Sequence, residues 1–436
     1  MGVEIREKAD DWSGLKDEEF EKVMNQEMEE DMTVMAVEQK DRSLNLGIVG
    51  IGQAGNKIAK EFYDQGYPVA LINTALQDLK LVDVPERFKL FLDSTLGGTA
   101  RDLQTGEDAV VEYQEAILDM MKDSFEPCEM LLLAASLGGG TGSGGAFKMV
   151  ETMAQLGKPI MVMAILPMAS EDTLAKHNAI TTLARLSELA KNGVINALFV
   201  VDNARIELIH SGLSLPDFWK VSNASIVAPL HLFNKLSSQA SPYVSLDPMD
   251  FSRLLVGQTG CALYGMTKVF NYADDEGAIA EAVVNNLESG LLAGGFDLAE
   301  TKSAGVIVVG SAQTLKKIPA SNLEYGFACV NKITQQSTRI FRGIYEQETG
   351  DDALYIYSIF SGLGLPQQRV EELKIEAEAH MKALEQKEDN KENMTIDMGK
   401  SKVVSASDQI YNKIKNKNSA MGKIMGNKRI TDLRRK

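Results

Sequence analysis

Two glycine clusters are the part of this sequence best suited to chemistry. The first, GIGQAGN at 50–56, fits the pattern G-x-G-x-x-G, and the second, GGGTGSGG at 138–145, carries two hydroxyl residues. Glycines let the backbone approach a ligand closely, and backbone N–H groups at the start of a following helix bind phosphate. The second cluster has no lysine before its hydroxyl residue, so it is not a Walker P-loop. Two such clusters predict a nucleotide with several phosphates.

The first cluster alone is equally typical of a dinucleotide-binding site. Such a site usually places an acidic residue after the second strand to bind the ribose hydroxyls. Asn73 and Thr74 stand at that place in this chain. An NAD(P)-dependent oxidoreductase is therefore disfavoured, but it stays open as an alternative at this point.

Alternating strands and helices position both clusters. Continuous apolar runs (LNLGIVG, VALINT, EMLLLAAS, PIMVMAILP and INALFVVDN) alternate with helical patterns over the first half of the chain. This alternation is typical of an α/β fold with a doubly wound parallel sheet. The carboxyl ends of parallel strands share one edge of the sheet, so we expect both clusters to lie there.

The second half of the chain has a different pattern. A long helix containing Pro229 precedes strands separated by helical segments, which predicts a second α/β domain with a mixed sheet, and a charged helix follows. The predicted organisation is an acidic N-terminal arm (1–42), a nucleotide-binding domain (43–218), a central helix (219–240), a C-terminal domain (241–366), a charged helix (367–389) and a basic tail (390–436).

Composition limits the class of protein. The 436 residues are 44% apolar and 24% charged with a net charge of −16, which excludes a wholly disordered or fibrous chain. No apolar run approaches the roughly 18 residues of a membrane span, and the acidic N-terminus is not a secretory signal. The three cysteines are far apart and fit a reducing cytoplasm. Residues 1–42 hold 14 acidic and 6 basic side chains, whereas residues 401–436 hold 10 basic and 2 acidic ones.

The second glycine cluster closely resembles GGGTG[ST]G, the signature loop of the tubulin/FtsZ superfamily. Other loops of that family follow in order over residues 44–366. They are GQAGN (52–56, phosphates), NTALQDL (73–79), LGGTARDLQTGEDAV (96–110, γ-phosphate), LPMASED (166–172, ribose) and VVDNARI (200–206, purine). The resemblance implies a Rossmann-like GTPase domain, a long central helix and a second α/β domain with a mixed sheet.

The same resemblance implies which residues bind GTP or GDP, with Mg²⁺ carried by the nucleotide and no metal site made by protein side chains. Asn56 is expected to reach the guanine or ribose, Glu171 the ribose, and Asn203 and Asn223 the base. The full predicted set is Gly52, Gln53, Ala54, Asn56, Asn73, Gly98, Thr99, Ala100, Gly138, Gly139, Gly140, Thr141, Gly142, Ser143, Glu171, Asn203 and Asn223.

The segment SLDPMD (245–250) resembles the family's NxDxxD/E loop, whose acids enter the nucleotide pocket of the next subunit in a head-to-tail stack. Asp247 and Asp250 are then the predicted catalytic residues, which orient water against the γ-phosphate. A simpler interpretation is that Asp247 only caps the following helix. The sequence departs from the family at Ser245, where asparagine is usual, and in the ribose loop, which lacks the usual arginine and has only the offset Lys176.

The charged helix and basic tail are similar to those of plasmid- and phage-borne tubulins of the TubZ type. That resemblance implies a GTPase whose hydrolysis is coupled to polymerisation and which positions or segregates plasmid or phage DNA, in the cytoplasm of a prokaryotic cell or phage-infected host. Its partners are then further copies of the chain and, through the tail, DNA or a DNA-bound adaptor. The alternatives are a regulatory GTP-binding member that does not polymerise, and the oxidoreductase considered above.

Overall fold

The computed structural model of the protein describes residues 41–93, 97–288, 290–335 and 339–389. Most of the predicted acidic arm and the whole basic tail from residue 390 therefore lie outside the described residues. No helix of the described segments is both long and apolar enough to cross a membrane.

Within the described residues, ten strands form one continuous sheet in the order β3-β2-β1-β4-β5-β6-β7-β10-β8-β9. Neighbours are parallel from β3 to β7, β10 is antiparallel to both β7 and β8, and β9 is parallel to β8. The predicted combination of parallel and mixed sheet is thus confirmed. The strands are β1 (Leu46–Ile51), β2 (Val69–Asn73), β3 (Lys89–Phe91), β4 (Met130–Ser136), β5 (Ile160–Leu166), β6 (Ala197–Asp202), β7 (Cys261–Val269), β8 (Ser303–Gly310), β9 (Arg339–Glu346) and β10 (Leu354–Leu363).

The parallel and mixed parts are joined by two residue pairs between β6 and β7, Leu198 with Cys261 and Phe199 with Ala262. Strands β1, β5 and β6 are buried at every residue. Helices cover both faces of such a sheet, which explains why these strands read as continuous apolar runs.

Thirteen α-helices occur in the described residues, and the central one carries the chain from the nucleotide-binding half to the second half. This helix begins after Ser214, whose Oγ accepts a hydrogen bond from the Asp217 N–H, so it starts four residues before the predicted range. The helices are α1 (Gly52–Asp64), α2 (Leu76–Lys80), α3 (Leu103–Glu112), α4 (Gln114–Phe125), α5 (Thr141–Ala154), α6 (Thr173–Lys191), α7 (Asn203–Ile209), α8 (Leu215–Leu236), α9 (Pro248–Leu255), α10 (Ala278–Glu288), α11 (Ala312–Lys316), α12 (Ala320–Ile333) and α13 (Gln367–Asp389).

Candidate functional site

Five loops meet at the carboxyl edge of the parallel sheet. Strands β2, β1, β4, β5 and β6 are direct neighbours and run in the same direction, so the loops that follow them share one edge. These loops are the segments 73–79, 50–56, 138–145, 166–172 and 200–206, all of which the sequence assigned to the nucleotide. A ligand site is the usual occupant of this edge in open α/β sheets.

The first glycine cluster is needed because α1 packs directly on the neighbouring backbone. A Cβ atom on Gly55 would overlap the carbonyl oxygen of Ala134 in β4. Gly52 has a φ of +73°, and a Cβ there would lie 3.1 Å from the amide nitrogen of Gly142. The two glycine clusters therefore touch each other through backbone atoms.

Helices α1 and α5 both begin within these clusters. Within the described chain, neither helix start has a side-chain cap or an acidic residue in its first turn. Because the first N–H groups of a helix lack partners within that helix, both starts offer backbone donors and a positive dipole end. By contrast, Asp172 caps α6 and Asp202 caps α7. The starts of α1 and α5 are thus the ones suited to an anion such as phosphate.

The predicted γ-phosphate loop, described from residue 97 onward, lies against the second glycine cluster in an unusual backbone conformation. Gly98, Ala100 and Arg101 have φ values of +144°, +48° and +65°. A Cβ atom on Gly140 would overlap the Thr99 hydroxyl, so only glycine permits this contact. Two consecutive non-glycine residues with positive φ are rare and occur mostly where the surrounding structure holds a functional loop in place.

Thr74 is a site residue that the sequence reasoning missed. Its hydroxyl is hydrogen bonded to that of Thr141 at 2.5 Å, and both side chains are buried. Asn73, as predicted, lies at this edge of the sheet, where its Oδ1 accepts from the Ala75 N–H at 3.3 Å. The signal was present in the sequence, because Thr74 directly follows Asn73 in the second family loop.

The side chains of Asn56 and Ser143 form hydrogen bonds within the chain in place of the predicted nucleotide contacts. The amide of Asn56 is fully buried; its Nδ2 donates to the Ile72 carbonyl at 3.2 Å and its Oδ1 accepts from the Ile72 N–H at 3.3 Å. The Ser143 hydroxyl is buried and hydrogen bonded to that of Thr182 at 2.7 Å. We therefore reassign both side chains to packing, the first between α1 and β2 and the second between α5 and α6.

Gln53 and Asn223, both predicted to bind the nucleotide, lie close to each other. Both line a cavity of about 220 Å³ between α1, α2 and α8, with Lys57 and Asp78. The Gln53 Nε2 donates to Asp78 Oδ1 at 3.3 Å, which orients this side chain at the mouth of the first loop.

Glu171, the predicted ribose residue, is held by two groups. Its Oε1 accepts from the Met168 N–H at 3.0 Å, and its Oε2 forms an ion pair with Arg101 at 3.3 Å. Arg101 also pairs with Asp172 at 2.6 Å. Arg101 thus connects the predicted γ-phosphate loop to the predicted ribose loop. Arg101 was not among the predicted site residues, although it lies within the third family loop.

Asn203, the predicted base-reading residue, is the half-buried first residue of α7. The preceding Asp202 caps this helix by accepting from the Ala204 N–H at 3.2 Å. Asp202 also accepts from the Arg369 Nε at 2.7 Å, so the charged C-terminal helix contacts the predicted purine loop.

The two predicted catalytic acids lie at the surface. Asp247 is exposed and caps α9, because its Oδ1 accepts from the Asp250 N–H at 2.8 Å. Partial burial and the neighbouring Asp247 carboxylate raise the pKa of Asp250 above its ordinary value. Asp247 therefore does cap α9, and its exposure leaves it accessible to a second molecule.

These acids are far from the glycine clusters of their own chain. Val244 pairs with Ile344, which ties the loop to β9, the last strand of the sheet. Strand β4, which leads into the second glycine cluster, is six strands away from β9, a separation of about 29 Å at the usual strand spacing. The acids and the phosphate loops of one chain are therefore widely separated along the sheet.

Comparison with known proteins identifies the family. Residues 45–210 match the family model of the Tubulin/FtsZ family, GTPase domain, and residues 233–374 match that of the Tubulin/FtsZ-like protein TubZ-like, C-terminal domain. The chain belongs to the tubulin/FtsZ superfamily. This confirms the predicted resemblance, including its TubZ-like character, and makes the protein a GTP-binding protein and a GTPase of this superfamily.

Individual relatives agree with this membership. The tubulin-like protein TubZ of Bacillus cereus is 24% identical over 395 residues, which cover 82% of this chain and 88% of the relative. The cell division protein FtsZ of Haloferax mediterranei is 28% identical over 277 residues, covering 63% of this chain and 69% of the relative.

Solved structures show the same fold. The GTPγS-form protofilament of Bacillus thuringiensis serovar israelensis TubZ superposes with a TM-score of 0.71 at 18% identity, covering 81% of this chain and 94% of that one. The helical model of the two-stranded TubZ-Bt filament gives a TM-score of 0.74 at 19% identity, covering 86% and 97%. At these identities, the superpositions establish the tubulin/FtsZ fold.

Proposed function

We propose that this GTPase assembles head to tail into filaments and that each active site is completed by Asp247 and Asp250 of the next subunit. The observation that carries the proposal is that the loop bearing these acids is tied to β9, six strands along the sheet from β4, which leads into the second glycine cluster. A GTPase with its acids on one surface and its phosphate loops at a distant sheet edge can bring the two together between neighbouring subunits of a head-to-tail stack.

The surface around the acids has the character of a contact surface. Tyr243, Val244 and Met249 are 48%, 41% and 60% exposed, and they flank Asp247 in the chain. Clustered exposed apolar side chains of this kind mark sites where another protein docks. A next subunit seated here would cover these side chains and receive the acids in its nucleotide pocket.

Hydrolysis then needs positioning and charge stabilisation rather than covalent chemistry. The backbone N–H groups at the starts of α1 and α5 bind the phosphates, and Thr99 and Arg101 lie where the γ-phosphate loop meets the glycine cluster. The carboxylates of Asp247 and Asp250 accept hydrogen bonds from the attacking water and orient it. We assign the nucleotide the predicted residues Gly52, Gln53, Ala54, Asn73, Gly98, Thr99, Ala100, Gly138, Gly139, Gly140, Thr141, Gly142, Glu171, Asn203 and Asn223, and add Thr74 and Arg101.

Mg²⁺ fits the donor set of this site. It prefers hard oxygen ligands and is commonly held by substrate phosphates with one or two protein groups and waters. The hydroxyls of Thr74 and Thr141 and the Asp78 carboxylate are the oxygen donors near the phosphate loops that would complete its shell. When bound, it would neutralise charge on the phosphates.

The cellular role we propose is the positioning or segregation of plasmid or phage DNA in the cytoplasm of a prokaryotic cell. It is supported by the TubZ-like C-terminal half and by a solved relative described as a type III plasmid segregation TubZ, with a TM-score of 0.66. The basic tail, outside the described residues, supplies the charge to bind DNA or a DNA-bound adaptor.

Sedimentation and light scattering test the assembly. We expect pelleting with GTP, a loss of pelleting as GTP is consumed, and no pelleting with NAD. GTP binding without pelleting at any concentration would favour the regulatory, non-polymerising alternative. Tight NAD binding without GTP binding would instead overturn the nucleotide assignment.

A further inference from the structure

The C-terminal helix α13 reaches the loop that reads the base. Arg369, in the first turn of α13, forms an ion pair with Asp202 in which the Nε lies 2.7 Å from Oδ2. The two side chains are only 8% and 5% exposed. Removing one partner of such a pair leaves the other charge buried and uncompensated, which is costly. Separation of α13 from the end of β6 is therefore disfavoured.

Asp202 transmits this contact to Asn203. The other Asp202 oxygen, Oδ1, accepts from the Ala204 N–H at 3.2 Å and so caps α7, whose first residue is Asn203. Any displacement of Arg369 therefore moves the carboxylate that fixes the start of α7. Asn203 directly follows Asp202 in the chain.

A second ion pair connects α13 to the ribose loop. Glu376 lies about two helical turns beyond Arg369 in α13, and its Oε2 is 2.9 Å from Lys176 Nζ. Lys176 also donates to the carbonyl of Ala169 at 3.0 Å, within the loop that carries Glu171. The Lys176 side chain is 12% exposed, so it is largely removed from competing water.

The two connections are themselves joined. Glu376 Oε1 accepts from the Arg369 Nη1 at 3.0 Å, which gives an alternating series of charges from Asp202 through Arg369 and Glu376 to Lys176. Although burial raises the pKa of Glu376, Lys176 and Arg369 lower it more, so that its net shift is downward. Glu376 is therefore ionised at neutral pH and holds both cations.

We propose that α13 is part of the nucleoside site: Arg369 positions Asn203 for the base, and Glu376, through Lys176, positions Glu171 for the ribose. This inference rests on the proposed function, because it assumes that Asn203 and Glu171 contact GTP. Arg369, Glu376 and Lys176 are positioning residues, since each acts through another side chain or the backbone. Arg369 thereby affects binding of the base, whereas Glu376 and Lys176 affect binding of the ribose.

Competition binding against a fluorescent GTP analogue tests the inference with three unlabelled nucleotides: GTP, ITP, which lacks the 2-amino group of the base, and 2′-deoxy-GTP, which lacks a ribose hydroxyl. Arg369→Met should lower the preference for GTP over ITP by about tenfold and leave the preference for GTP over 2′-deoxy-GTP unchanged. Glu376→Gln should lower the preference for GTP over 2′-deoxy-GTP by about threefold, because Glu376 acts through Lys176. It should change the preference for GTP over ITP less, because Arg369 keeps its ion pair with Asp202.

The matched control is Lys374→Met on the same helix. Lys374 is half exposed and pairs only with its neighbour Glu371 at 3.4 Å among the contacts described, so its removal should change neither ratio. Because Arg369→Met leaves Asp202 buried without its cation, Arg369→Met with Asp202→Asn is the second variant. Asparagine still caps α7, so this variant should fold while the preference for GTP over ITP stays lowered.

Three outcomes are distinguishable. A purely structural role for α13 would weaken all three nucleotides in equal proportion, which would overturn the inference. Wild-type ratios in both Arg369 variants would also overturn it. If the wild-type protein binds no GTP, the proposed function itself fails.

Discussion

The phenolic oxygen of Tyr345 holds the backbone of Leu246 at both of its polar groups. It accepts a hydrogen bond from the Leu246 N–H at 2.8 Å and donates one to the Leu246 carbonyl at 3.1 Å. Leu246 directly precedes Asp247, and Tyr345 lies in β9 of the mixed sheet. The sheet thus fixes the backbone from which the proposed catalytic acid projects.

Tyr345→Phe should slow GTP hydrolysis without weakening GTP binding. The ring still packs, but the buried Leu246 groups lose their partner, at a cost of about 1–3 kcal/mol. Because this loss displaces the backbone that carries Asp247, we expect the turnover number to fall about tenfold. Tyr355→Phe is the matched control, because its hydroxyl binds Asp351 instead. Equal turnover in the two variants would contradict a positioning role for Tyr345.

Asp247 combines a cap with a proposed catalytic carboxylate, and two substitutions separate these roles. Asp247→Asn keeps a good cap but loses the charge, so stability should stay near wild type while turnover falls by about 10²–10⁴-fold. Asp247→Ala should lose turnover similarly and also lose about 0.5–2 kcal/mol of stability. Urea unfolding and steady-state GTP hydrolysis measure the two effects. Wild-type turnover in Asp247→Asn would show that the residue is only a cap.

Asp250 should make stability depend on pH in a definite direction. Its pKa is raised in the folded protein by partial burial and by Asp247, so the folded state disfavours its charge. Its stabilising contribution is present below its ordinary pKa of 3.8 and is lost as pH rises through the higher folded value. Asp250→Asn should therefore be more stable than wild type at neutral pH and equal to it at a pH below 3.8. A constant difference in unfolding free energy across this range would contradict the assignment.

Asn56→Ala should destabilise the protein and leave the nucleotide affinity of the folded protein near wild type. The substitution removes both hydrogen bonds between the buried Asn56 amide and the Ile72 backbone, a loss of about 1–3 kcal/mol. Gln53→Ala is the informative counterpart, because Gln53 is exposed at the mouth of the first loop. This substitution should lower GTP affinity with little effect on stability. Denaturation and GDP titration of both variants distinguish these roles. A large loss of affinity in Asn56→Ala at unchanged stability would restore the nucleotide contact first expected for it.

The sequence predicted the fold best where a local pattern of residues is enough to identify a buried strand and the loop that follows it. Apolar runs such as LLLAA in β4 identify buried parallel strands, and a glycine cluster after such a strand lies at the carboxyl edge of the sheet. The short strand Lys89–Phe91 was missed because its three residues are half-buried and give no such run.

Side-chain direction was not predictable in the same way. Asn56 belongs to the first family loop, yet its amide turns inward to Ile72, because the turn of α1 places it against β2. The contact between Asp202 and Arg369 joins residues 167 positions apart and depends on how α13 packs, which no local pattern records.

Mixing two inactive variants tests most directly whether the active site forms between subunits. Gly140→Val blocks the phosphate cradle, because even a Cβ there would overlap the Thr99 hydroxyl, but it keeps both acids. Asp247→Asn keeps the cradle but lacks the carboxylate. Each should be inactive alone, and the mixture should regain part of the wild-type GTPase rate, because a cradle from one variant then meets acids from the other.

The control mixture pairs Asp247→Asn with the double variant Gly140→Val and Asp247→Asn, which supplies neither part. It should stay inactive at every ratio of the two chains. Acids acting on their own subunit's nucleotide would give no rescue in either mixture. Rescue restricted to the first mixture, and growing with total protein concentration as assembly does, is the result required by acids that cross from one subunit to the next.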